Sequence, residues 1–435
     1  MAYRHLIGTP IHAALTVAAI VALLRPASFG ALTLLAALTA ATVVLELPNV
    51  FNHWFFTGLV SLALFGGCVA AWRAGHATGA PSPAERLGRA FAPAARWSLI
   101  LLYGWSGFHK LNHDFLDPEL SCATVLAGSL GQRLALSAPP FDGVLVWLTL
   151  LTELGLPVLL LFPRLRLAGV ALGSGFHLAM AAAGYPRFSA VGLALLTLFL
   201  PVGALRLDIA RASRLAFGVA RGAALLRHGW PLGGLAILAG ALFATAWTER
   251  LMLALTAALA VGLALLAGAA WRRGAAPVET ALRPGTAWPA MAGPLLILLA
   301  GLTPYAGLGT DRALAMYSNL RTEGGTTNHL LIPSGVQRFG FQRDLVQVLF
   351  ADAPRLQELA EGDLVLPYQE FRARLTEEVH RAAGPVRIRY RHGGAELDRE
   401  VALPDSALAL PVSALARKFL RFRAVERSDP RACGV

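Results

Sequence analysis

The sequence predicts an α-helical polytopic membrane bundle of about eight to ten transmembrane helices, followed by a small C-terminal α+β domain. Of the 435 residues, 56% are hydrophobic and 15% are charged, whereas soluble domains are about 25% charged. The mean hydropathy is +0.56. Apolar runs of about 20 residues, the length that spans a bilayer, recur through the first 308 residues. These observations exclude an ordinary soluble enzyme, a disordered tail protein and a disulfide scaffold.

Ten segments are candidate spans, of which the first and the eighth are short: 8–24, 28–47, 53–72, 97–116, 143–162, 166–183, 188–205, 231–247, 251–271 and 288–308. Beyond residue 309 no apolar run is long enough to cross a membrane. The chain therefore divides into a transmembrane domain, 1–308, and a tail domain, 309–435.

The formal net charge of +12 indicates topology rather than a nucleic-acid partner, because its arginines flank the apolar runs. Basic residues concentrate in the connections 73–96, 163–166, 206–230 and 272–287. The alternate connections are poor in them: 48–52 has none, and the next three have Arg133, Arg187 and Arg250. The positive-inside rule puts the first set in the cytoplasm, so we expect a multi-pass inner-membrane protein with an extracytoplasmic tail.

Residues 206–228 carry arginines among apolar residues. Two interpretations remain open for this connection: an amphipathic helix on the cytoplasmic lipid surface, or a solvated basic loop.

The tail domain has the pattern of a small α+β unit. Helical spacing predicts helices over 366–382 and 411–424. Alternation predicts strands over 385–391 and 396–403, joined at a His-Gly-Gly turn in a hairpin.

Three cysteines, Cys68, Cys122 and Cys433, show no metal-ligand spacing, so no structural zinc site is expected. Cys122 and Cys433 are both predicted outside, and the sequence leaves open whether they form a disulfide.

Ionisable residues inside membrane segments are costly and are functional candidates by default. Five stand out, and the predicted topology puts all of them at or beyond mid-depth on the outer side: Glu46, His53, Lys110, Glu153 and His177.

Lys110 is the principal candidate. The chain has only one other lysine, Lys418, among 38 basic residues. An arginine cannot be deprotonated in a protein, whereas a desolvated lysine can lose its proton and act as a base. The alternative is a lysine that snorkels to the outer interface. Gly104 and Gly107 precede it and favour close approach of a ligand or of another helix.

The remaining candidates surround this lysine in the predicted topology. Asn52 and His53 either orient a substrate or belong to an aromatic interface belt, and each histidine has helix-to-helix hydrogen bonding as its alternative. Glu153 pairs with Lys110 or with His177. No HxxH or ExxH spacing supports a metal site. Residues 316–333 form either a loop over the outer mouth of the bundle or a linker into a strand at 328–332.

Three motifs, in this order, resemble those of the vitamin K-dependent gamma-carboxylases, members of the wider HTTM superfamily. The run 103–116 is similar to their aromatic…Gly-x-x-Lys-Leu-x-x-Asp-aromatic stretch. Asn52-His53 followed by aromatics resembles their Asn-His motif, and residues 176–192 resemble their Phe-His…Phe-x-x-Gly helix. The polar segment 316–329 resembles the one that follows the helices in bacterial members. The resemblance covers roughly residues 10–330.

The resemblance implies a membrane enzyme of the lyase class, whose cofactor is a reduced quinone and which needs no metal. In the carboxylases the matching lysine deprotonates the quinol, oxygen converts it to an epoxide, and a carbanion formed from glutamate captures carbon dioxide. Lys110 would be the base and His53 its assistant. The site-lining residues would be Asn52, Gly107, His109, Glu153, His177 and Tyr185.

The tail of 127 residues has no recognisable counterpart of the carboxylases' large lumenal region. Two other functions stay open beside the enzyme: a binding or transport protein for a lipid or small solute, and a structural partner of a membrane complex.

Overall fold

A computed structural model describes residues 9–26, 28–76, 81–134, 142–201, 246–274, 282, 287–382, 384–403, 407–409, 413–427, 430–431 and 433. The first part of the chain is helical, and the last part folds around a small sheet.

The helices of the first part are α1 Pro10–Leu24, α2 Phe29–Glu46, α3 Asn52–Arg73, α4 Pro83–His109, α5 His113–Leu116, α6 Cys122–Leu134, α7 Asp142–Leu161, α8 Arg166–Ala182, α9 Pro186–Leu196, α10 Ala246–Arg272 and α11 Ala292–Ala306. Short 3-10 turns precede α8 and α11 and follow α3 and α9.

Within the described residues, six helical segments are long and apolar enough to cross a membrane: Phe29–Glu46, Asn52–Arg73, Gly143–Leu161, Pro163–Ala182, Glu249–Arg272 and Trp288–Ala306. They coincide with the second, third, fifth, sixth, ninth and tenth predicted spans. Together they support a multi-pass membrane protein.

Helix α4 differs most from its predicted span, 97–116. It starts fourteen residues earlier, where the Ser82 and Glu85 side chains form a capping box. It ends at His109, and Lys110 is its C-terminal cap rather than an interior residue. The helix is less apolar than its neighbours, yet it packs against α3, α7, α9 and α11, which cover most of its surface.

Other predicted segments are shorter than expected or fall outside the described residues. The span 188–205 corresponds to α9 and a 3-10 turn that ends at Phe199. The span 231–247, except its last two residues, and the whole of 206–228 lie outside the described residues. The sequence does not predict helix α6, because polar residues interrupt its apolar ones and no long apolar run results.

Small residues allow the helices of the bundle to approach closely. A side chain at Gly293 of α11 would meet the backbone oxygen of Leu59 at 2.5 Å, and one at Gly58 would meet Val43 at 2.8 Å. Glycine is therefore required where α3 crosses α11 and α2.

The tail contains a five-stranded antiparallel sheet with strand order β4-β3-β1-β2-β5. Its elements are β1 Leu345–Ala351, α12 Pro354–Glu361, β2 Leu364–Pro367, α13 Tyr368–Ala382, β3 Val386–His392, β4 Ala395–Val401, α14 Ala414–Phe419 and β5 Val425–Glu426. The predicted hairpin is present as β3 and β4. Helices α12 and α13 pack on the sheet around Phe371, Leu356 and Ile388.

Two tail predictions need correction. The predicted helix 366–382 begins at Tyr368, because the residues before it pair with β1 as strand β2. The predicted helix 411–424 is shorter than expected: α14 spans Ala414–Phe419, and the chain then runs extended into β5. In that extended stretch Phe422 is buried and its backbone N–H donates to Glu370 Oε2.

Arg421 joins the sheet unit to the loop that leaves the bundle. Its guanidinium lies 3.0 Å from Glu370 and 2.9 Å from Glu377 on α13. Its carbonyl oxygen accepts hydrogen bonds from the N–H groups of Thr310 and Asp311.

We expect Arg421→Met to destabilise the protein by about 2 kcal/mol, because it removes one of the two guanidinium groups that contact the buried Glu370 carboxylate and leaves only Arg374. Thermal unfolding of the purified protein measures the change. Arg399→Met, at an exposed position of β4, is the control and should stay within about 0.5 kcal/mol of the wild type. Equal losses from both variants would contradict this account.

Candidate functional site

A buried ion pair lies where α4 ends. Lys110 Nζ is 2.7 Å from Glu153 Oε2, and the side chains are only 3% and 8% exposed. The Ser106 hydroxyl accepts a hydrogen bond from Lys110 Nζ at 3.0 Å and donates one to Glu153 Oε2 at 2.9 Å. The pair therefore belongs to a three-residue polar cluster inside an apolar bundle.

The packing of α4 on α7 brings these side chains together. A Cβ atom at Gly107 would lie 2.9 Å from the Leu154 side chain and 3.1 Å from the backbone carbon of Glu153. A larger residue at 107 would move α7, and Glu153 with it, away from Lys110. Ser106 is four residues before Lys110, the spacing that puts two side chains on one helix face.

The loop that follows α11 supplies a further partner. The Met316 carbonyl accepts a hydrogen bond from Lys110 Nζ at 3.3 Å. Four non-glycine residues of this loop have positive φ, between 51° and 60°: Arg312, Leu314, Tyr317 and Asn319. Each such residue costs about 1–3 kcal/mol, so the surroundings must hold the loop firmly.

Asparagines hold this strained loop in place. Asn112 Nδ2 donates to the Ser318 carbonyl at 2.6 Å. The Asn52 side chain accepts from the Leu314 N–H. Asn319 Oδ1 accepts from the Cys122 N–H. The loop is thus tied to α3, to the end of α4 and to α6.

A cavity of about 1430 Å³ adjoins the ion pair. Lys110, Ser106 and Glu153 lie in its wall, which is otherwise largely apolar. Two of its lining residues, Leu148 on α7 and Leu172 on α8, are 57% and 39% exposed, so the described residues do not seal it.

Five of the residues singled out in the sequence line this cavity: Lys110, Asn52, His53, Glu153 and Tyr185. Among the hydrogen bonds of the described residues, none joins His53 to Lys110; the His53 ring stacks on Phe51 with centroids 5.8 Å apart. Tyr185 contacts Tyr317 of the strained loop edge to face.

Gly107, His109 and His177 lie outside the cavity lining. His109 is buried on another side of α4, where Nδ1 is 2.8 Å from the Tyr305 hydroxyl and Nε2 is 3.0 Å from the Ala313 carbonyl oxygen. His177 Nε2 is 2.5 Å from the Tyr103 hydroxyl. Glu153 therefore pairs with Lys110 and not with His177, a choice that the sequence left open.

A disulfide joins Cys122, at the start of α6, to Cys433. The disulfide holds the end of the tail beside the cavity. Arg431 lines the cavity, and its backbone N–H donates to Asp114 Oδ2. The Asn319 amide donates to the Arg431 carbonyl, so the strained loop is held from this side as well.

Sequence reasoning missed several residues of this site. Ser106 is not among the sequence candidates, although its position four residues before the lysine indicates a shared helix face. Tyr103 and Tyr317 carried no signal beyond their aromatic character. The lone arginines of the outer connections, Arg133, Arg187 and Arg250, all line the cavity.

Within the described residues, no group of three or more histidines, cysteines or acidic residues is placed to hold a metal ion. Comparison with protein families, with curated proteins and with solved structures finds no match to this chain.

We expect Gly107→Ala to lower the free energy of unfolding by about 1–3 kcal/mol, because the added methyl group overpacks the contact with Leu154 and Glu153. Gly104→Ala, where an added Cβ meets no atom within 4 Å, should be neutral or stabilising by up to about 1 kcal/mol. Thermal unfolding of the two variants decides, and a larger loss at 104 would refute this packing.

His329 should make stability depend on pH. Its Nε2 is 3.0 Å from the Phe108 carbonyl oxygen, and its Nδ1 accepts from the N–H groups of Leu331 and Ile332. Burial lowers the pKa of His329 below its usual 6.5. The unfolded chain therefore binds the proton first as pH falls, and the stability present above pH 6.5 is lost below it, by at most about 1.4 kcal/mol per pH unit.

The His329→Gln variant should lose less stability per pH unit below pH 6.5 than the wild type. Unfolding midpoints of wild type and variant between pH 7.5 and 5.5 measure the difference. Parallel curves for the two proteins would show that His329 does not contribute.

Proposed function

We propose that this protein is a multi-pass membrane enzyme in which Lys110, paired with Glu153, acts as a base on the hydroxyl group of a lipid-soluble substrate. The observation that carries the proposal is the buried ion pair in the wall of an unsealed, largely apolar cavity. A purely structural ion pair has no need of such a cavity beside it.

The chemistry follows from the contacts of the two side chains. A proton passed from Lys110 Nζ to Glu153 Oε2 leaves a lone pair on the nitrogen. The amine then accepts a proton from a hydroxyl group held in the cavity, and the Ser106 hydroxyl supports both charge states as donor and acceptor.

A reduced quinone fits this chemistry and agrees with the resemblance to the vitamin K-dependent gamma-carboxylases. Such a molecule supplies two acidic hydroxyl groups and two electrons. Aromatic side chains, among them Phe115, Tyr185 and Phe188, line the cavity and suit its ring, and the exposed lining residues Leu148 and Leu172 suit its apolar chain. His53 lines the same cavity and is a candidate to assist proton transfer.

We further propose that the cavity opens toward the extracytoplasmic side of the inner membrane. Helices α3 and α10 begin at the cavity and end at Arg73 and Arg272, so these arginines lie at the opposite end of the bundle. The positive-inside rule assigns that end to the cytoplasm. The Cys122–Cys433 disulfide supports an oxidising compartment on the cavity side.

A binding protein without turnover is the alternative function, and it is favoured by one observation, the size of the cavity. At about 1430 Å³ it exceeds the roughly 300–1,000 Å³ of most small-molecule sites. The two functions differ in their tolerance of substitution at 110, because binding requires no group that exchanges a proton.

We expect Lys110→Arg to abolish turnover, with a loss of about 100-fold or more, because arginine keeps the positive charge but cannot act as a base. Oxygen consumption by proteoliposomes supplied with menaquinol or ubiquinol measures the activity. Lys418→Arg is the matched control, since Lys418 is half-buried and binds only the Val44 carbonyl among the described residues.

An unchanged unfolding temperature shows that the Lys110→Arg protein is folded. Equal turnover by wild type and Lys110→Arg would overturn the proposal. A quinone that co-purifies with both proteins, without turnover by either, would establish the binding function instead.

A further inference from the structure

We infer that the cavity binds an anionic amphiphile, whose carboxylate or phosphate head contacts Arg133 and Arg187 and whose apolar chain lies along α6 and α7. The inference names a ligand class for the cavity of the proposed enzyme. It rests on that cavity alone, and its test does not depend on turnover.

The distribution of arginines along the chain is the first argument. Three of the four outer connections contain a single arginine, Arg133, Arg187 or Arg250, and all three line the cavity. The positive-inside rule makes basic residues less frequent on the side of the membrane that faces away from the cytoplasm. A ligand that carries negative charge explains why each of these connections keeps one and why all three converge.

The balance of charge in the lining is the second argument. The described lining residues include six basic side chains, Lys110, Arg133, Arg187, Arg250, Arg423 and Arg431, and two acidic ones, Glu153 and Glu249. Lys110 pairs with Glu153 and Arg431 pairs with Glu426, and the other four arginines of the lining still outnumber Glu249. Arg423 Nε is buried without a hydrogen-bond partner. A wall of this kind attracts an anion.

Arg133 and Arg187 both line the cavity at the turn between α8 and α9. The Arg133 guanidinium lies over Gly184, where a Cβ atom would be 2.7 Å from Nη2. Tyr185 is the N-cap of α9, and its side chain forms no capping hydrogen bond. Arg187 lies two residues further on, in the first turn of the helix. The first N–H groups of α9 therefore add to the positive potential. Neither arginine forms an ion pair with an acidic residue in the described part of the chain.

The apolar wall continues from this charged region. Leu126 and Leu130 precede Arg133 on the same face of α6, and Leu145 and Leu148 face them from α7. A small anion such as free phosphate would leave these leucines in contact with water. An amphiphile satisfies both parts of the wall, because its head pairs with the arginines and its chain covers the leucines.

The test measures binding to the whole purified protein in a neutral detergent. The probes are decyl phosphate and decanoate, with decanol as the neutral chain and inorganic phosphate as the free anion. Thermal unfolding at increasing concentration gives the half-saturating concentration of each probe. Arg133→Gln and Arg187→Gln remove the head contacts, and Arg164→Gln, an exposed arginine before α8, is the matched control.

We expect decyl phosphate or decanoate to stabilise the wild type, and either cavity variant to raise the half-saturating concentration about tenfold or more, as loss of a hydrogen bond to a charged group does. Arg164→Gln should bind like the wild type. Lys110→Arg should also retain binding, which separates this inference from the proposed chemistry.

Three outcomes would overturn it. Equal binding by wild type and both cavity variants would show that the arginines do not contact the head. Stabilisation by decanol equal to that by decyl phosphate would show a plain apolar site, and stabilisation by inorganic phosphate alone would show a site for a free anion rather than an amphiphile.

Discussion

The Lys110–Glu153 ion pair is the constraint on which the rest of this structure depends. Removing two charges from water costs several kcal/mol for each ion unless close geometry and further hydrogen bonds compensate. The Ser106 hydroxyl and the Met316 carbonyl supply those hydrogen bonds. Gly107 supplies the geometry, since α7 reaches α4 only where a side chain is missing. Helix α4 ends at the lysine, so the loop beyond α11 can approach Nζ.

The residues of the family-like motifs divide between chemistry and support. Lys110 faces the cavity, whereas its neighbours His109 and Asn112 bind the backbone of the loop after α11. Asn52 binds the same loop from α3. A motif that looks like one catalytic stretch in the sequence therefore contains one residue that faces the cavity and several that keep a strained loop in place.

The sequence predicts most of the membrane helices, because long apolar runs are a strong signal. The β3–β4 hairpin was predictable from alternation around a glycine turn. The ends of α4 were not predictable from the sequence. This helix packs against four others, yet its polar residues lower its hydropathy, so its apolar run is shorter than the helix. The partner of Glu153 was not predictable either. The predicted depth in the membrane allowed both Lys110 and His177, and only the packing of α4 on α7 at Gly107 distinguishes them. Strand β1 (LVQVLFA) is apolar at six of its seven positions and so does not alternate, and β2 has only four residues and runs directly into α13.

The disulfide between Cys122 and Cys433 spans 311 residues, and its second half lies beside a residue of the cavity wall. This separation sets an order on biogenesis. Every membrane helix has been synthesised, and the tail has been translated through β5, before the wall near Arg431 exists. A nascent or interrupted chain therefore holds Lys110 without this part of the cavity wall. The cell obtains a complete pocket only from a chain that has been translated through residue 433 and oxidised.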